Sequence, residues 1–352
     1  MLTVSSRVLS LAGEAALLVR GGRIVYANVR AERLLGEGCV GKTLREVFGA
    51  EIAEAQARVF VADASIAGKA LNVRTAKMDD MQAFFLSGIS YSEVPVNEAF
   101  LYAMRSTLMN LRLSEELCRT RAEALGDEEL AGDLRAMRRE IFRTTRLVDN
   151  VAVVRGAAAG ELKANASVLD LAALCRTLID SVALLRPDVT IRLSAEGELC
   201  LLGDRVLITQ MILNLISNCL LHAEGLSRIT MSVTPTPTQL ILSVGDDGCG
   251  IAEDAMGGVF ERYRESFALG TVSGGAGLGL SVVRSVAQLH GGTLMIESRA
   301  GSGTSARVSL ARRIGAASLS SPPQELSADM GMLLAGLSDC LAPECFEGKL
   351  MD

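Results

Sequence analysis

Apolar residues recur at alternating steps of three and four along two stretches of the region 93–160. The stripe positions are Leu101, Met104, Leu108, Leu111, Leu130, Leu134, Met137, Ile141, Val148 and Val151. This heptad spacing predicts two helices, and Gly126-Asp127 marks the turn between them. An isolated antiparallel pair would leave its apolar stripe uncovered. We therefore expect two copies of the chain to form a homodimeric four-helix bundle.

Short apolar runs separated by turn residues characterise the region 1–92. The strand candidates are 15–19, 23–26 and 83–86. Gly21-Gly22 forms the turn between the first two runs, and helical spacing over 28–35 follows the second. This order predicts a small α+β domain.

Helical and strand patterns alternate through the region 161–312. The predicted helices are 169–185, 205–221 and 280–289, and the predicted strands are 190–193, 229–233, 240–244, 293–296 and 306–310. The alternation predicts an α/β sandwich with a substantial core. The region 313–352 begins with a Ser- and Pro-rich linker at 318–323, and a short amphipathic helix is predicted at 330–341.

Composition and charge exclude several classes of function. The 352-residue chain has a formal net charge of −6, 4% aromatic residues and no tryptophan. These values argue against non-specific nucleic-acid binding and against a base-stacking surface. Eight scattered cysteines and two histidines argue against a zinc site and favour reduced thiols. Because no apolar run reaches about 18 residues, we expect a cytoplasmic protein without membrane insertion.

Two polar clusters in the region 161–312 suggest ligand chemistry. Asn214 and Asn218 lie four apart on a predicted helix, so both carboxamides point to one face and offer hard oxygen ligands for Mg²⁺. Asp246 follows a predicted strand and precedes Gly248 and Gly250, which suits close approach of a flat ligand with an exocyclic amine. Taken separately, exposed or capping asparagines and an ordinary Asp-Gly turn explain the same residues.

A third cluster is the glycine-rich run 274–280, which leads into a predicted helix. Its backbone amides and the positive end of the helix suit a phosphate group. A flexible loop is the alternative explanation. Gly291-Gly292 and the run 301–304 flank a predicted strand, and alone they indicate only a hairpin.

The order and spacing of these clusters, with Phe-Glu-Arg-Tyr at 260–263 between the second and third, resemble the catalytic and ATP-binding domain of sensor histidine kinases. The resemblance covers 94–310, and the helix pair is similar to the family's dimerisation and phosphotransfer bundle. The runs 22–28 and Gly41-Lys42 resemble a PAS domain. The implied organisation is a PAS-like α/β domain at 1–92, a dimerisation helix hairpin at 93–160, an α/β sandwich of the histidine kinase/gyrase/Hsp90 type at 161–312, and a linker and tail at 313–352.

The resemblance implies Mg-ATP as the bound ligand. It makes Asn218 the Mg²⁺ ligand, with Asn214 supporting it, and it assigns the adenine amine to Asp246. The remaining implied nucleotide-binding positions are Gly248, Gly250, Gly275, Gly277, Leu278 and Gly279. A lid is implied at 261–273. A homodimer is implied, and the partner would be a response regulator or another signalling protein.

The sequence departs from the family pattern inside the nucleotide domain. Leu221 stands where the family has a basic residue, which removes a phosphate contact. Asp247 stands where the family has an asparagine. Both differences are expected to weaken nucleotide binding.

A larger departure lies on the first helix of the pair. Tyr102 occupies the position of the phosphoacceptor histidine, and Ala103 occupies that of the acid after it. A tyrosine hydroxyl has a pKa near 10 and needs an activating base, which Ala103 does not supply. We favour an exposed surface aromatic over an acceptor at Tyr102, and Ser106 and Thr107 rank below it. The only histidines, His222 and His290, lie in the nucleotide domain.

Three functions are compatible with these features. The first is an ATP-binding signalling protein that acts through conformation. The second is an active protein kinase with an acceptor other than histidine. The third is an interaction scaffold that no longer binds nucleotide.

Overall fold

The computed structural model describes residues 14–36, 38–54, 60–66, 69–78, 81–88, 97–252, 278–312 and 330–346. We name four parts by their residues: the N-terminal domain (14–88), the helix hairpin (98–158), the α/β domain (167–312) and the tail segment (330–346).

The helices are α1 Val29–Leu35, α2 Leu44–Phe48, α3 Ala50–Ala53, α4 Glu98–Leu125, α5 Glu128–Ala158, α6 Leu171–Leu185, α7 Arg205–His222, α8 Gly279–Leu289 and α9 Met330–Leu337, and a 3-10 helix spans Pro343–Phe346. The strands are β1 Ala15–Arg20, β2 Arg23–Ala27, β3 Phe60–Ile66, β4 Lys69–Met78, β5 Met81–Gly88, β6 Ser167–Asp170, β7 Thr190–Ala195, β8 Cys200–Gly203, β9 Arg228–Pro235, β10 Gln239–Asp246, β11 Leu294–Ser298 and β12 Thr304–Ala311.

The helix hairpin consists of α4 and α5, which run antiparallel. Gly126 ends α4 in the left-handed conformation at φ 69°, and Asp127 caps α5 by accepting a bond from the Leu130 amide at 3.0 Å. Glycine reaches positive φ without the steric cost that a Cβ adds. The predicted turn is therefore confirmed, together with the predicted helices on each side.

The α/β domain encloses its apolar core within one chain. Strand β10 pairs antiparallel with β9 and β12, β12 pairs with β11, and β7 joins β9 in parallel. Leu240, Leu242 and Val244 alternate along β10 toward the core, where they meet α7 residues such as Ile212 and Ile216. This period-two burial on the strand against an apolar helix gives the predicted α/β architecture.

Most predicted elements of this domain are confirmed, with shifted ends. The predicted helix 169–185 begins later, at Leu171, because Asp170 ends strand β6 and caps α6 through the Ala173 amide. Asp204 caps α7 in the same way, because its Oδ1 accepts a hydrogen bond from the Leu207 amide. The prediction missed the short β6–β8 pair, whose strands have four residues each.

The N-terminal domain is an antiparallel sheet in the order β2-β1-β5-β4-β3, with α1 to α3 inserted between β2 and β3. Asn28 closes the first turn of α1, because its Oδ1 accepts bonds from the Ala31 and Ala16 amides. The predicted α+β character is confirmed. The sheet continues into the α/β domain, because β3 pairs with β11 to give ten strands in all.

The tail segment packs against both α5 and α7. Its helix α9 ends at Leu337, four residues before the end of the predicted helix 330–341. Leu334 and Phe346 are fully buried, and the Phe346 ring lies 5.7 Å from that of Phe142 on α5. The predicted linker at 318–323 lies outside the described residues. Within the described ranges, no helix has both the length and the apolar character required to cross a membrane.

Candidate functional site

One polar centre lies where β10 ends. The Asp246 Oδ1 atom accepts bonds from the Gly248 amide at 3.1 Å and the Thr304 amide at 3.2 Å. The buried thiol of Cys219 faces the same carboxylate, and burial together with that negative charge raises the pKa of the thiol. These contacts hold the Asp246 side chain at the end of β10, against the first residues of the following loop.

The glycines around Asp246 allow two loops to interlock. A Cβ at Gly250, where φ is +67°, would lie 2.1 Å from the Arg299 carbonyl oxygen, and one at Gly248 would lie 2.5 Å from the Ala223 Cβ. A Cβ at Gly303, where φ is +85°, would lie 1.9 Å from the Asp246 carbonyl oxygen. The space beside Gly248 and Gly250 is therefore taken by protein atoms, which gives both glycines a packing role. Their implied contact with a purine stays a prediction.

Asp247 supports the rim of the site. Its carboxylate accepts bonds from the Ser227 amide at 2.9 Å, the Ser227 hydroxyl at 2.6 Å and the Arg228 amide at 2.9 Å. These donors lower the pKa of Asp247 to about 2. The unusual acid at this position thus fixes the loop between α7 and β9.

A second polar centre lies between α7 and the start of α8. A Cβ on Gly279 would lie 3.1 Å from Asn214 Oδ1 and 3.5 Å from Asn218 Oδ1. Both carboxamide oxygens therefore face the first residue of α8, whose N-terminal end carries positive potential. Leu278, the residue before Gly279, is buried. The predicted shared face of Asn214 and Asn218 is consistent with this arrangement.

The helix hairpin contributes to this second centre. Asn214 is 2% exposed, and its Oδ1 accepts a bond from Arg146 Nη2 at 3.1 Å. The same guanidinium nitrogen donates to the Ser217 hydroxyl at 3.0 Å. Asn150 Oδ1 accepts from the Gln210 side chain at 2.9 Å. Residues of α5 thus bond directly to the helix that carries the two asparagines.

Other sequence-predicted positions lie outside the described residues. These are Gly275, Gly277 and the lid at 261–273. Their implied roles stay predictions.

The two histidines take no part in either polar centre. His290 accepts a bond from the Asp204 amide at Nε2, 3.0 Å away, and its Nδ1 lies 2.8 Å from the Val286 carbonyl oxygen. Nδ1 therefore donates, and the ring joins α8 to the start of α7. His222 ends α7.

Tyr102 projects from α4 and is 76% exposed, as the sequence predicts for a residue off the apolar stripe. One turn further along the helix, Arg105 binds Asp149 of α5, with Nε 2.9 Å from Oδ1. The Asp149 carboxylate is therefore already paired with a cation.

Sequence analysis did not identify two residues of the polar centres. Thr304 was part of a run explained as a hairpin, and Arg146 lies among the apolar positions that end α5. Arg146 lies close in sequence to the predicted stripe positions Ile141 and Val148. A charge next to buried positions indicates an acceptor or an anion beside it, because an unpaired charge is costly to bury. The partner itself could not be inferred.

The family comparisons agree with this geometry. Residues 203–314 match the model of the "Histidine kinase-, DNA gyrase B-, and HSP90-like ATPase" family. The sensor-like histidine kinase SenX3 of Mycobacterium tuberculosis is 29% identical over 239 residues, which is 67% of this chain and 55% of SenX3. The histidine protein kinase DivJ of Caulobacter vibrioides is 38% identical over 114 residues, 32% of this chain and 19% of DivJ.

Among solved structures, the ATP-binding domain of PrrB from Mycobacterium tuberculosis aligns with a TM-score of 0.36 and 23% identity, covering 43% of this chain and 99% of that domain. The chain spans about half the length of SenX3 and of the probable sensor histidine kinase TcrY. The matched family and the named relatives lead to one conclusion: the chain is a histidine-kinase-family protein with an ATPase domain of the histidine kinase, gyrase and HSP90 type.

Proposed function

We propose that this protein is a cytoplasmic signalling protein that binds Mg-ATP and transmits its state by conformation, with Tyr102 in place of the family's phosphorylated histidine. The observation that carries the proposal is the contrast between two sites. Asp246 lies in one polar centre, and Asn214 and Asn218 face the start of α8 in the other. Tyr102, in contrast, is exposed on the hairpin.

The residues present fit Mg-ATP. Asn218 offers a neutral oxygen ligand, which suits a hard cation that is shared with phosphates, and Asn214 supports it from one turn earlier on α7 while its own Oδ1 accepts from Arg146. Both asparagines face Gly279 at the start of α8, where unpaired backbone amides favour anions. Mg²⁺, when bound, would neutralise phosphate charge. Asp246 would accept the adenine amine through its Oδ2 atom, while its Oδ1 atom is held by the amides of Gly248 and Thr304.

The environment of Tyr102 argues against efficient phosphotransfer to it. A tyrosine nucleophile needs a base within hydrogen-bond reach. The residue after Tyr102 is Ala103, and the carboxylate of Asp149 is engaged by Arg105. Signal output through a change of domain arrangement needs no such base, only a different affinity of the two arrangements for nucleotide.

The proposed protein is a homodimer. Met109, Leu113 and Leu117 lie four residues apart on α4 and are all exposed in the single chain. Side chains at this spacing share one helix face, and a second hairpin would cover them in a four-helix bundle. The arrangement is also the one that the family resemblance implies.

The N-terminal domain is the proposed sensory part. Its strand order and inserted helices support the PAS assignment made from the sequence. A response regulator or another signalling protein is the proposed partner, on the strength of the family alone.

Nucleotide binding is tested by titrating the dimeric protein with a fluorescent ATP analogue and Mg²⁺. We expect saturable binding that weakens by about tenfold to a hundredfold in Asp246→Ala and in Asn218→Ala, since each loses a bond to a charged or metal-linked group. Asp180→Ala, which removes an exposed carboxylate from α6 of the same domain, is the matched control. Absence of binding by the wild-type chain would leave the scaffold hypothesis.

Phosphotransfer is tested by incubation with γ-labelled ATP. We expect no acid-stable label on Tyr102, Ser106 or Thr107, and identical behaviour of Tyr102→Phe. Label that appears in the wild type and disappears in Tyr102→Phe would instead establish an active kinase with a tyrosine acceptor.

A further inference from the structure

The tail segment has a closely fitted seat between the hairpin and the α/β domain. A Cβ on Gly336 would lie 2.7 Å from Leu213 Cδ1, so α9 approaches α7 as closely as a glycine allows. The carbonyl oxygen of Cys340 accepts a bond from Arg186 at 3.0 Å, and that of Ser338 accepts one from Arg139 at 3.3 Å. These contacts place the segment against α5, α6 and α7 at once.

At the centre of this seat, one tail carboxylate binds two arginines of α5. Asp339 Oδ1 accepts from Arg143 Nε at 2.8 Å, and Oδ2 accepts from Arg146 Nη1 at 2.7 Å. The Asp339 side chain is only 7% exposed. A carboxylate this well shielded interacts strongly with a guanidinium, because water screens the pair weakly.

Arg146 connects that carboxylate to the second polar centre. While Nη1 binds Asp339, Nη2 binds Asn214 Oδ1 and the Ser217 hydroxyl. Asn214 Oδ1 in turn faces the first residue of α8. The guanidinium is therefore one contact away from the place where the phosphates of a bound nucleotide are proposed to lie.

We propose that Arg146 is a phosphate-binding residue supplied by the hairpin, and that Asp339 is an internal anion which occupies it in the absence of nucleotide. The inference rests on the proposed binding of ATP. A guanidinium binds phosphate and carboxylate through the same forked donors. A triphosphate carries more charge than one carboxylate, so it competes with Asp339 for Arg146.

The competition makes the tail segment an autoinhibitory contact. Nucleotide binding weakens the seat of the tail, and tail docking weakens nucleotide binding by the same factor. Release of the tail removes one of the connections that fix the α/β domain against α5. A bound nucleotide therefore allows the α/β domain to move relative to the hairpin.

The first test measures the dissociation constant for Mg-ATP in the full chain. We expect Asp339→Asn to bind about tenfold more tightly, which corresponds to about 1.4 kcal/mol, and Arg146→Gln to bind more weakly than wild type. In the Arg146→Gln background, Asp339→Asn should have no further effect. Glu344→Gln is the matched control, because Glu344 is an exposed carboxylate of the same segment.

The second test reads the tail itself, through hydrogen exchange of the amides of 333–340 in the wild-type chain. We expect saturating Mg-ATP to accelerate this exchange, and to leave it unchanged in Arg146→Gln at equal occupancy. A purely structural ion pair would change stability without this response to nucleotide. The measurement also decides the matter if Asp339→Asn fails to fold.

The outcomes separate this inference from the proposed function. Wild-type protein that binds ATP, with equal affinity in Asp339→Asn and unchanged tail exchange, overturns only the tail mechanism. Wild-type protein that binds no nucleotide overturns both proposals.

Discussion

The helix hairpin and the α/β domain differ in how completely they bury their apolar side chains. In the α/β domain, helix α7 is covered on several sides, and residues such as Ile212 and Ile216 have no exposure. In the hairpin, Leu113 and Leu117 are more than half exposed, while Glu115 is completely buried beside Arg138, 3.2 Å from its Nε. The α/β domain therefore buries the apolar side chains of its central helix within the single chain, whereas the hairpin leaves large apolar side chains exposed.

The same two regions differ in chemical organisation. In the α/β domain, loops and helix ends bring an acid, two carboxamides and several backbone amides to two centres. On the hairpin, Tyr102 is mostly exposed and projects away from the helix pair. The residues proposed for nucleotide recognition and the residue at the proposed acceptor position therefore lie on different elements, so a substitution at one need not disturb the other.

Among the substitutions that test this comparison, we expect the largest change in unfolding free energy at Gly303. Gly303→Ala places a Cβ 1.9 Å from the Asp246 carbonyl oxygen at a φ of +85°, so we expect a loss of about 3 kcal/mol or more in unfolding free energy. Gly301→Ala is the control, because its φ is +75° but nothing lies within 4 Å of the added atom. It should lose only about 1 kcal/mol in urea denaturation. Equal losses would contradict the interlocked loops.

The next effect concerns the incomplete side of the comparison, the exposed face of α4. The double variant Leu113→Lys, Leu117→Lys should weaken the dimer by about a hundredfold, since each leucine loses about 1.5 kcal/mol or more of burial. Sedimentation velocity over a concentration series measures this. Leu184→Lys, at an exposed leucine of α6, should leave the dimer intact. A wild-type chain that sediments as a monomer at micromolar concentration would refute the bundle.

The smallest effect sharpens the account of the α/β domain at low pH. Asp247 has a pKa of about 2 in the folded chain, below its usual 3.8. The unfolded chain therefore binds its proton first, and the stabilisation that Asp247 provides is lost as the pH falls from about 4 to about 2. Urea denaturation across this range should show a steeper decline for wild type than for Asp247→Asn. Parallel declines would show that the Ser227 and Arg228 contacts contribute no stability.

Local sequence signals predicted much of the fold and part of the candidate site. The heptad stripes and Gly126-Asp127 predicted the hairpin because helix period and turn conformation depend on neighbouring residues. Asn214, Asn218 and Asp246 were identified because their spacing on single elements is visible in the chain. Arg146 was missed as part of the site, since its contacts to Asn214 and Ser217 join residues about seventy positions apart.

The sequence by itself determined the two hairpin helices, the α/β character of the region 161–312 and the absence of a histidine at position 102, because these follow from residue type and short-range spacing. It missed strands β3, β4, β6 and β8. The tertiary structure decided how the parts meet. It joined β3 to β11 across two domains, and it seated Asp339 between two arginines of α5. Strand-edge pairing uses backbone groups that every residue carries, and ion pairing requires only opposite charges brought together. Neither leaves a pattern along the chain that names its partner.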